Sequence, residues 1–281
     1  MLELFKGRKL VIATKHKKEA VIAPILEKEL GVICIVPKDF DTDELGTFTG
    51  EIERKESPLA TARKKCLLAM EHTNCDLGIA SEGSFGPHPS IFMAHADDEI
   101  LIFIDKKNDL EIIVRELSLD TNFNATTVGC FQNLVDLVKT VGFPEHAIVL
   151  KNDEKEVTSI VKGIQSWELL EDSYNKLSAN NSKVVAETDM RAMFNPTRMK
   201  VIEKAAIKLI EKIKTLCPQC NTPGFGIVNA KSGLPCEWCN SPTKSTMLHI
   251  YQCQKCQFEL EKMYPNDKKT EDPTYCDFCN P

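Results

Sequence analysis

Eight of the twelve cysteines stand in four C-x-x-C pairs after residue 216: Cys217/Cys220, Cys236/Cys239, Cys253/Cys256 and Cys276/Cys279. No other feature restricts the fold as strongly. A C-x-x-C turn holds two thiolates about one tetrahedral edge apart, and two such turns close a four-sulfur shell around zinc with no vacancy for water. Eight sulfurs therefore predict two structural Zn²⁺ ions. The segment has few large apolar residues, so metal binding has to supply much of its folding free energy. Two pairings are open. The consecutive one joins the first pair to the second and the third to the fourth; the nested one joins the two middle pairs and brings the first and last together. Consecutive pairing closes the shorter loops overall and is the preferred expectation. His249, the one histidine of the segment, is not needed if all eight sulfurs ligate.

The remaining cysteines, Cys34, Cys66, Cys75 and Cys130, lie in or beside apolar stretches and read as small buried hydrophobes. The chain starts without a signal-peptide pattern, and paired cysteines in a reducing compartment mean metal rather than disulfides. A cytoplasmic location and no membrane association are the expectations, because no apolar run approaches a spanning length. The net charge of −6 comes with no basic stripe, which argues against a general binder of nucleic-acid phosphates. From Cys217 onward six lysines face seven acidic residues, so a protein partner suits the tail better than RNA.

Ahead of the cysteine pairs, strand-like and helix-like runs alternate. "KLVIAT", "VICIV", "DLGIA", "AIVLK" and "KVVAET" read as strands, and "IFMAHA", "EILIFID" and "LEIIVREL" as a run of hairpin strands with a "KKND" turn. Helices are predicted from Lys15 to Leu30 with Gly31 as the stop, from Ser57-Pro58 to about His72, over "FQNLVDLVKTVG" and "SWELLEDSYNKL", and from Asn195-Pro196 to about Leu216. This is an α/β domain with a mixed sheet flanked by helices, over residues 1–215, followed by a small double zinc-ribbon domain over 216–281.

Three stretches of the α/β domain carry chemistry. Thr14, Lys15, Lys17 and Lys18 lie where the first strand feeds a helix, and backbone N–H groups with added lysine charge favour an anion there. In "SEGSFGPHPS", Glu82 sits just past a strand end, with Gly83 and Gly86 permitting close backbone approach and His88 in a loop. Ligands of α/β sheets gather at such strand ends. Asp39, Asp41, Asp43 and Glu51 offer a second carboxylate, and Arg63 and Lys64 add cations on the following helix. Finally, "AETDMRAMFNPTRMKVI" places Asp189 and Arg191 at a strand end and Thr197 and Arg198 at a helix start. Such groups bind a base edge or a phosphate.

"LVIATKHKKEAVIAPILEKELG", "SPLATARKKCLLAM" and "CDLGIASEG" follow one another in an order that resembles the inosine/xanthosine triphosphate pyrophosphatase-like superfamily over residues about 8–210. The whole layout also resembles a group of bacterial proteins of uncharacterised activity. The first resemblance implies a Mg²⁺-dependent nucleoside triphosphate pyrophosphohydrolase. Thr14, Lys15 and Lys18 would hold the triphosphate, and Glu82 with Asp41 or Asp43 would hold Mg²⁺ and orient water. Thr197-Arg198 resembles the superfamily's base-reading Ser-His-Arg element, with Pro196 in the histidine's place. The chain departs from the pattern at Ala60, where the superfamily carries a glutamate. That departure leaves an alternative: a non-catalytic module that binds a nucleotide or other phosphorylated small molecule, its ribbons contacting a protein or RNA.

Overall fold

The computed structural model describes residues 2–38, 40, 56–91, 93–153, 157–179 and 183–281. Two compact units emerge, residues 2–209 and 210–281. The division falls inside the last helix of the α/β region, somewhat ahead of the point where composition changes. The expected Asp41 and Asp43, with Asp39 and Glu51, lie outside the described residues.

In the first unit, α1 (Leu2–Phe5) precedes β1 (Lys9–Ala13), α2 (Glu19–Leu30), β2 (Ile33–Ile35), α3 (Pro58–Thr73), β3 (Leu77–Pro87), β4 (His95–Asp105) and β5 (Leu110–Ser118). The strands form a sheet in the order β2-β1-β3-β4-β5. β1 is parallel to both neighbours, whereas β3, β4 and β5 are antiparallel, so the sheet is mixed as expected. α3 starts where Ser57 accepts a hydrogen bond from Ala60 N at 3.2 Å, with Pro58 in the first turn. Its apolar side, Ala62, Cys66, Ala69 and Met70, packs on Val11, Ala13, Ala80, Ile102 and Ile104. Gly78 allows this approach, since a Cβ there would lie 2.5 Å from Met70 Cγ.

A second sheet follows, built from β6 (Ala125–Val128), β7 (Ile148–Lys151), β8 (Ile160–Ile164) and β9 (Val184–Thr188) in the order β6-β9-β7-β8. All its pairs are antiparallel. α4 (Phe131–Thr140) and α5 (Trp167–Ser178) close its core through Leu134, Val138, Leu170, Tyr174 and Leu177. α6 (Pro196–Lys214) comes last.

One strand departs from expectation. The expected strand ends ahead of Glu82, yet β3 continues to Pro87 and pairs residue for residue with β4. Glu82 is therefore mid-strand, not past a strand end. The ladder to β4 satisfies the backbone of this stretch, and the turn comes at His88, whose Nδ1 accepts from Ser90 N and Ile91 N. Of the described residues of "IFMAHA", His95 and Ala96 join β4.

The second unit is a three-stranded antiparallel meander, β10 (Gly226–Ser232), β11 (Thr246–Gln252) and β12 (Glu259–Met263). Its small interior holds Cys217, Phe225 and Cys253, with Tyr251, Cys256 and Phe258 packed against them.

Candidate functional site

Side chains of paired strands that face each other directly share a side of the sheet. Gly83 faces Glu99 and Phe85 faces Asp97, so Ser81, Gly83, Asp97 and Glu99 share one face at the far end of the β3–β4 pair. Glu82 points to the opposite face, beneath α3, where Lys65 forms an ion pair with it. β1 stops at Ala13, opposite Ala80, so among the described residues the β3 edge from Ser81 onward has no strand neighbour on that side. The Thr14–Lys18 segment leaves β1 at this point. Lys18 Nζ donates to Ser81 Oγ at 2.8 Å and to Ser81 O at 3.3 Å.

Arg198 arrives from the start of α6. Asn195 Oδ1 accepts from Arg198 N at 3.0 Å, and His146 Nε2 accepts from Thr197 N at 3.3 Å, so two side chains cap this helix. The Arg198 guanidinium donates from Nε to Glu99 Oε1 at 2.6 Å and from NH1 to Met190 O, and lies 5.1 Å from the Phe85 ring centroid. Gly83 makes room for it, because a Cβ at that position would sit 2.5 Å from Arg198 NH2.

Six charged side chains are thus buried together: Lys18, Lys65, Glu82, Asp97, Glu99 and Arg198. Their formal charges balance, but their hydrogen bonds do not. Both carboxylate oxygens of Asp97, and Oε2 of Glu99, have no partner among the described residues. Burial pushes the Asp97 carboxyl up to about 8, helped by the neighbouring Glu99 charge and opposed by Arg198 and Lys18. Burial pulls the Lys18 ammonium down to about 8, with Arg198 adding to the effect. The charges of Glu82 and Lys65 also act on Lys18, so the two faces form one electrostatic unit around the β3 edge.

Several expected site residues lie elsewhere or are otherwise engaged. Arg63 Nε donates to Glu111 Oε2 at 2.9 Å, and Lys64 is exposed; the buried cation of that helix is Lys65. Lys15 is exposed, and Thr14 Oγ1 accepts from His16 N at 3.2 Å. Asp189 is bound by Arg191 NH2 at 2.6 Å and by Gly163 N at 3.1 Å, forming a closed pair rather than an open recognition edge. Thr197 Oγ1 lies 2.9 Å from His146 Nε2. Arg198, expected to read a base, is instead buried against Glu99. A Cβ added at Gly86 would meet nothing within 4 Å among the described residues, so no close approach requires a glycine there. Asp97, Glu99, Lys65 and Ser81 were not anticipated. The signal for the acids was present: in "HADDEILIFID", Asp97 and Glu99 alternate in step with Leu101 and Phe103 on one strand face.

The second unit gathers the tail cysteines into two groups, Cys217/Cys220/Cys253/Cys256 and Cys236/Cys239/Cys276/Cys279, with the Sγ atoms of each group within 4.8 Å of one another. This overturns both expected pairings. The first and third knuckles meet, and so do the second and fourth. The meander explains it: β10 carries the chain from one end of the sheet to the other, β11 returns it and β12 carries it back, so successive knuckles fall at alternate ends. Strands of five to seven residues separate those ends by roughly 15–23 Å. Loop length, the basis of the earlier preference, does not compete with that geometry.

The donor sets fit a tetrahedral metal. A zinc–sulfur distance of about 2.3 Å gives a tetrahedral edge of about 3.8 Å. Cys217–Cys256 and Cys220–Cys253 are 3.6 Å apart, Cys239–Cys276 is 3.6 Å and Cys236–Cys279 is 3.8 Å. Each group can hold one metal ion. Three knuckles are followed by a residue of positive φ, Asn221, Asn240 and Gln257, the first two being a type that tolerates this region. The hydroxyls of Thr222 and Ser241, placed alike after their knuckles, pull the Cys220 and Cys239 thiols down to about 6.

The chain belongs to the family described as a domain of unknown function, DUF6671, whose model matches residues 65–281. The match takes in Lys65, Glu82, Asp97, Glu99, Arg198 and all eight tail cysteines. No curated protein and no solved structure matches the chain. Among the described residues no helix is long and apolar enough to cross a membrane.

Proposed function

We propose that residues 2–209 form a Mg²⁺-dependent hydrolase domain acting on nucleoside triphosphates at the phosphoanhydride, and that the tail holds two structural Zn²⁺ ions. The observation that carries the first part is the Asp97 carboxylate, buried beside Glu99 with neither oxygen hydrogen-bonded among the described residues. Leaving a buried carboxylate without partners costs free energy, and a ligand that supplies the missing contacts recovers it. A hard divalent cation takes one or two carboxylates and completes its shell with water and phosphate oxygens.

Charge arithmetic favours the same order of events. With three buried cations facing Glu82, Glu99 and an Asp97 that keeps its proton up to about pH 8, the site carries at most one net positive charge, a weak attraction for a polyanion. Bound Mg²⁺ would strengthen that attraction and polarise a water for attack. Lys18 and Arg198 then lie on the same face as the phosphates and offset their charge. Asp97, with its raised pKa, loses its proton on cation binding. Glu82 keeps Lys65 fixed beneath the site.

A second reading has its own support. Lys65 and Arg198 are already paired with carboxylates, and Ala60 stands where the pyrophosphatase-like superfamily has a glutamate. Both features suit a phosphate-ligand module without turnover. A pyrophosphate-release assay over a panel of nucleoside triphosphates separates the readings. The hydrolase reading expects Mg²⁺-dependent release that falls at least a hundredfold in Asp97→Asn. Nucleotide binding without release by the wild type would favour the module, and neither binding nor release would end both.

A further inference from the structure

The two cysteine centres have like donor sets and different surroundings. Around the first, the aromatic residues turn inward: Phe225 is buried, its ring centroid 5.9 Å from that of Tyr251 and 6.0 Å from that of Phe258. Around the second they turn outward. Trp238 is 77% exposed, Phe278 74% and Tyr275 68%. Trp238 and Phe278 occupy the same position in their knuckles, Cys-Glu-Trp-Cys and Cys-Asp-Phe-Cys, and these knuckles share one centre. The matching positions of the first centre hold Gln219 and Lys255. Two large aromatics left in water at one metal centre forgo burial that the first centre obtains.

Charge says what would cover them. Glu237 and Asp277 precede the two aromatics and are exposed, and the exposed Asp272 caps the short 3₁₀ turn that carries Tyr275, with the charge of Lys268 acting on it. Lys244 pairs with Asp277 at 2.9 Å, but both are largely exposed, and such a pair is weak and exchangeable. Four thiolates around one divalent ion leave the centre itself with a formal charge of about −2. Exposed aromatic rings in the knuckles of an anionic centre, each next to a carboxylate, attract cations and repel phosphates.

We propose that the face of the second cysteine centre is a docking surface for a protein segment carrying clustered arginine or lysine side chains. Their cationic heads stack on Trp238 and Phe278 and pair with Glu237 and Asp277. This proposal does not rest on the hydrolase reading. RNA is disfavoured, because its backbone would meet Glu237, Asp277 and the anionic centre.

Zinc-loaded full-length protein carrying Trp167→Phe retains Trp238 as its one tryptophan and reports on this face by fluorescence. It is titrated with a short peptide containing three arginines, the same peptide with aspartates in their place, and an oligouridine. The arginine peptide is expected to change the fluorescence and to bind more weakly as salt rises. A Trp238→Ala/Phe278→Ala variant, followed by anisotropy of a labelled peptide, is expected to lose about tenfold in affinity while keeping two zinc ions per chain. Glu237→Lys/Asp277→Lys, also with two zinc ions, should shift preference toward the aspartate peptide. The proposal is overturned if the double alanine variant binds as the wild type does, if the oligouridine binds more tightly than the arginine peptide, or if no peptide binds.

Discussion

Residues 2–209 bury six charged side chains around one sheet edge, whereas residues 210–281 bury the first cysteine of every knuckle and a single charged side chain, Glu271. Both arrangements place polar groups away from water, and they differ in what satisfies them. In the tail, sulfurs within tetrahedral reach of one another are complete once a metal binds. In the α/β unit the ion pairs Lys65–Glu82 and Arg198–Glu99 satisfy part of the cluster and leave Asp97 without a partner among the described residues. A site completed by its structural metal is a clamp. A site left incomplete in a folded core is where the proposed ligand would bind.

The largest effect should come from breaking the clamp. Structural zinc contributes roughly 10–16 kcal/mol to small domains of this kind, so a strong chelator should unfold residues 210–281. The crossed pairing makes a sharper test. Cys217→Ser/Cys253→Ser touches one centre and should retain one zinc ion per chain. Cys217→Ser/Cys236→Ser touches both and should retain none. Metal content by atomic emission reads the difference, and the opposite result would restore consecutive pairing.

Next in size is the buried ion pair. Arg198→Met leaves Glu99 charged and unpaired in a fully buried position, and should cost about 3–5 kcal/mol in denaturant unfolding of the α/β unit. Gly83→Ala should act in the same direction by pushing the guanidinium away.

These two kinds of contact also differ in how legible they are in the sequence. Each cysteine knuckle is local, and two residues of spacing reveal it. Its partner is not local, and the meander that decides it is a matter of strand direction, which loop lengths do not encode. The mixed sheet, the Ser57-Pro58 helix start and the Gly31 stop could be read for the same local reason. The charge cluster could not. Arg198 meets Glu99 across 99 positions and Lys18 meets Ser81 across 63. Ending the strand ahead of Glu82 hid the pairing that puts Gly83 opposite Glu99. Lys65, unlike Lys64, falls on the inward stripe of α3, three residues after Ala62 and four before Ala69, a phase legible in the sequence.

Smaller still is the titration of Asp97. Its ordinary carboxyl value is 3.8, and burial raises it to about 8 in the fold. Between these values the folded state holds the extra proton. The Asp97 contribution is therefore fully present below about pH 4, declines as pH rises toward 8, and levels off above that. Asp97→Asn should remove this slope and leave the variant about 2 kcal/mol more stable than the wild type near pH 8. Urea midpoints across the range check it. Least of all, Ser57→Ala should cost about 1 kcal/mol through the lost cap of α3, a baseline for judging the network.

The incomplete site is tested most directly by calorimetric titration of Mg²⁺ into the zinc-loaded protein with a non-hydrolysable nucleoside triphosphate present. Saturable uptake of magnesium with release of a proton near pH 7, both lost in a folded Asp97→Asn variant, is the expected result. Equal heats and equal proton release from the wild type and Asp97→Asn, or no magnesium uptake by the wild type, would contradict the account.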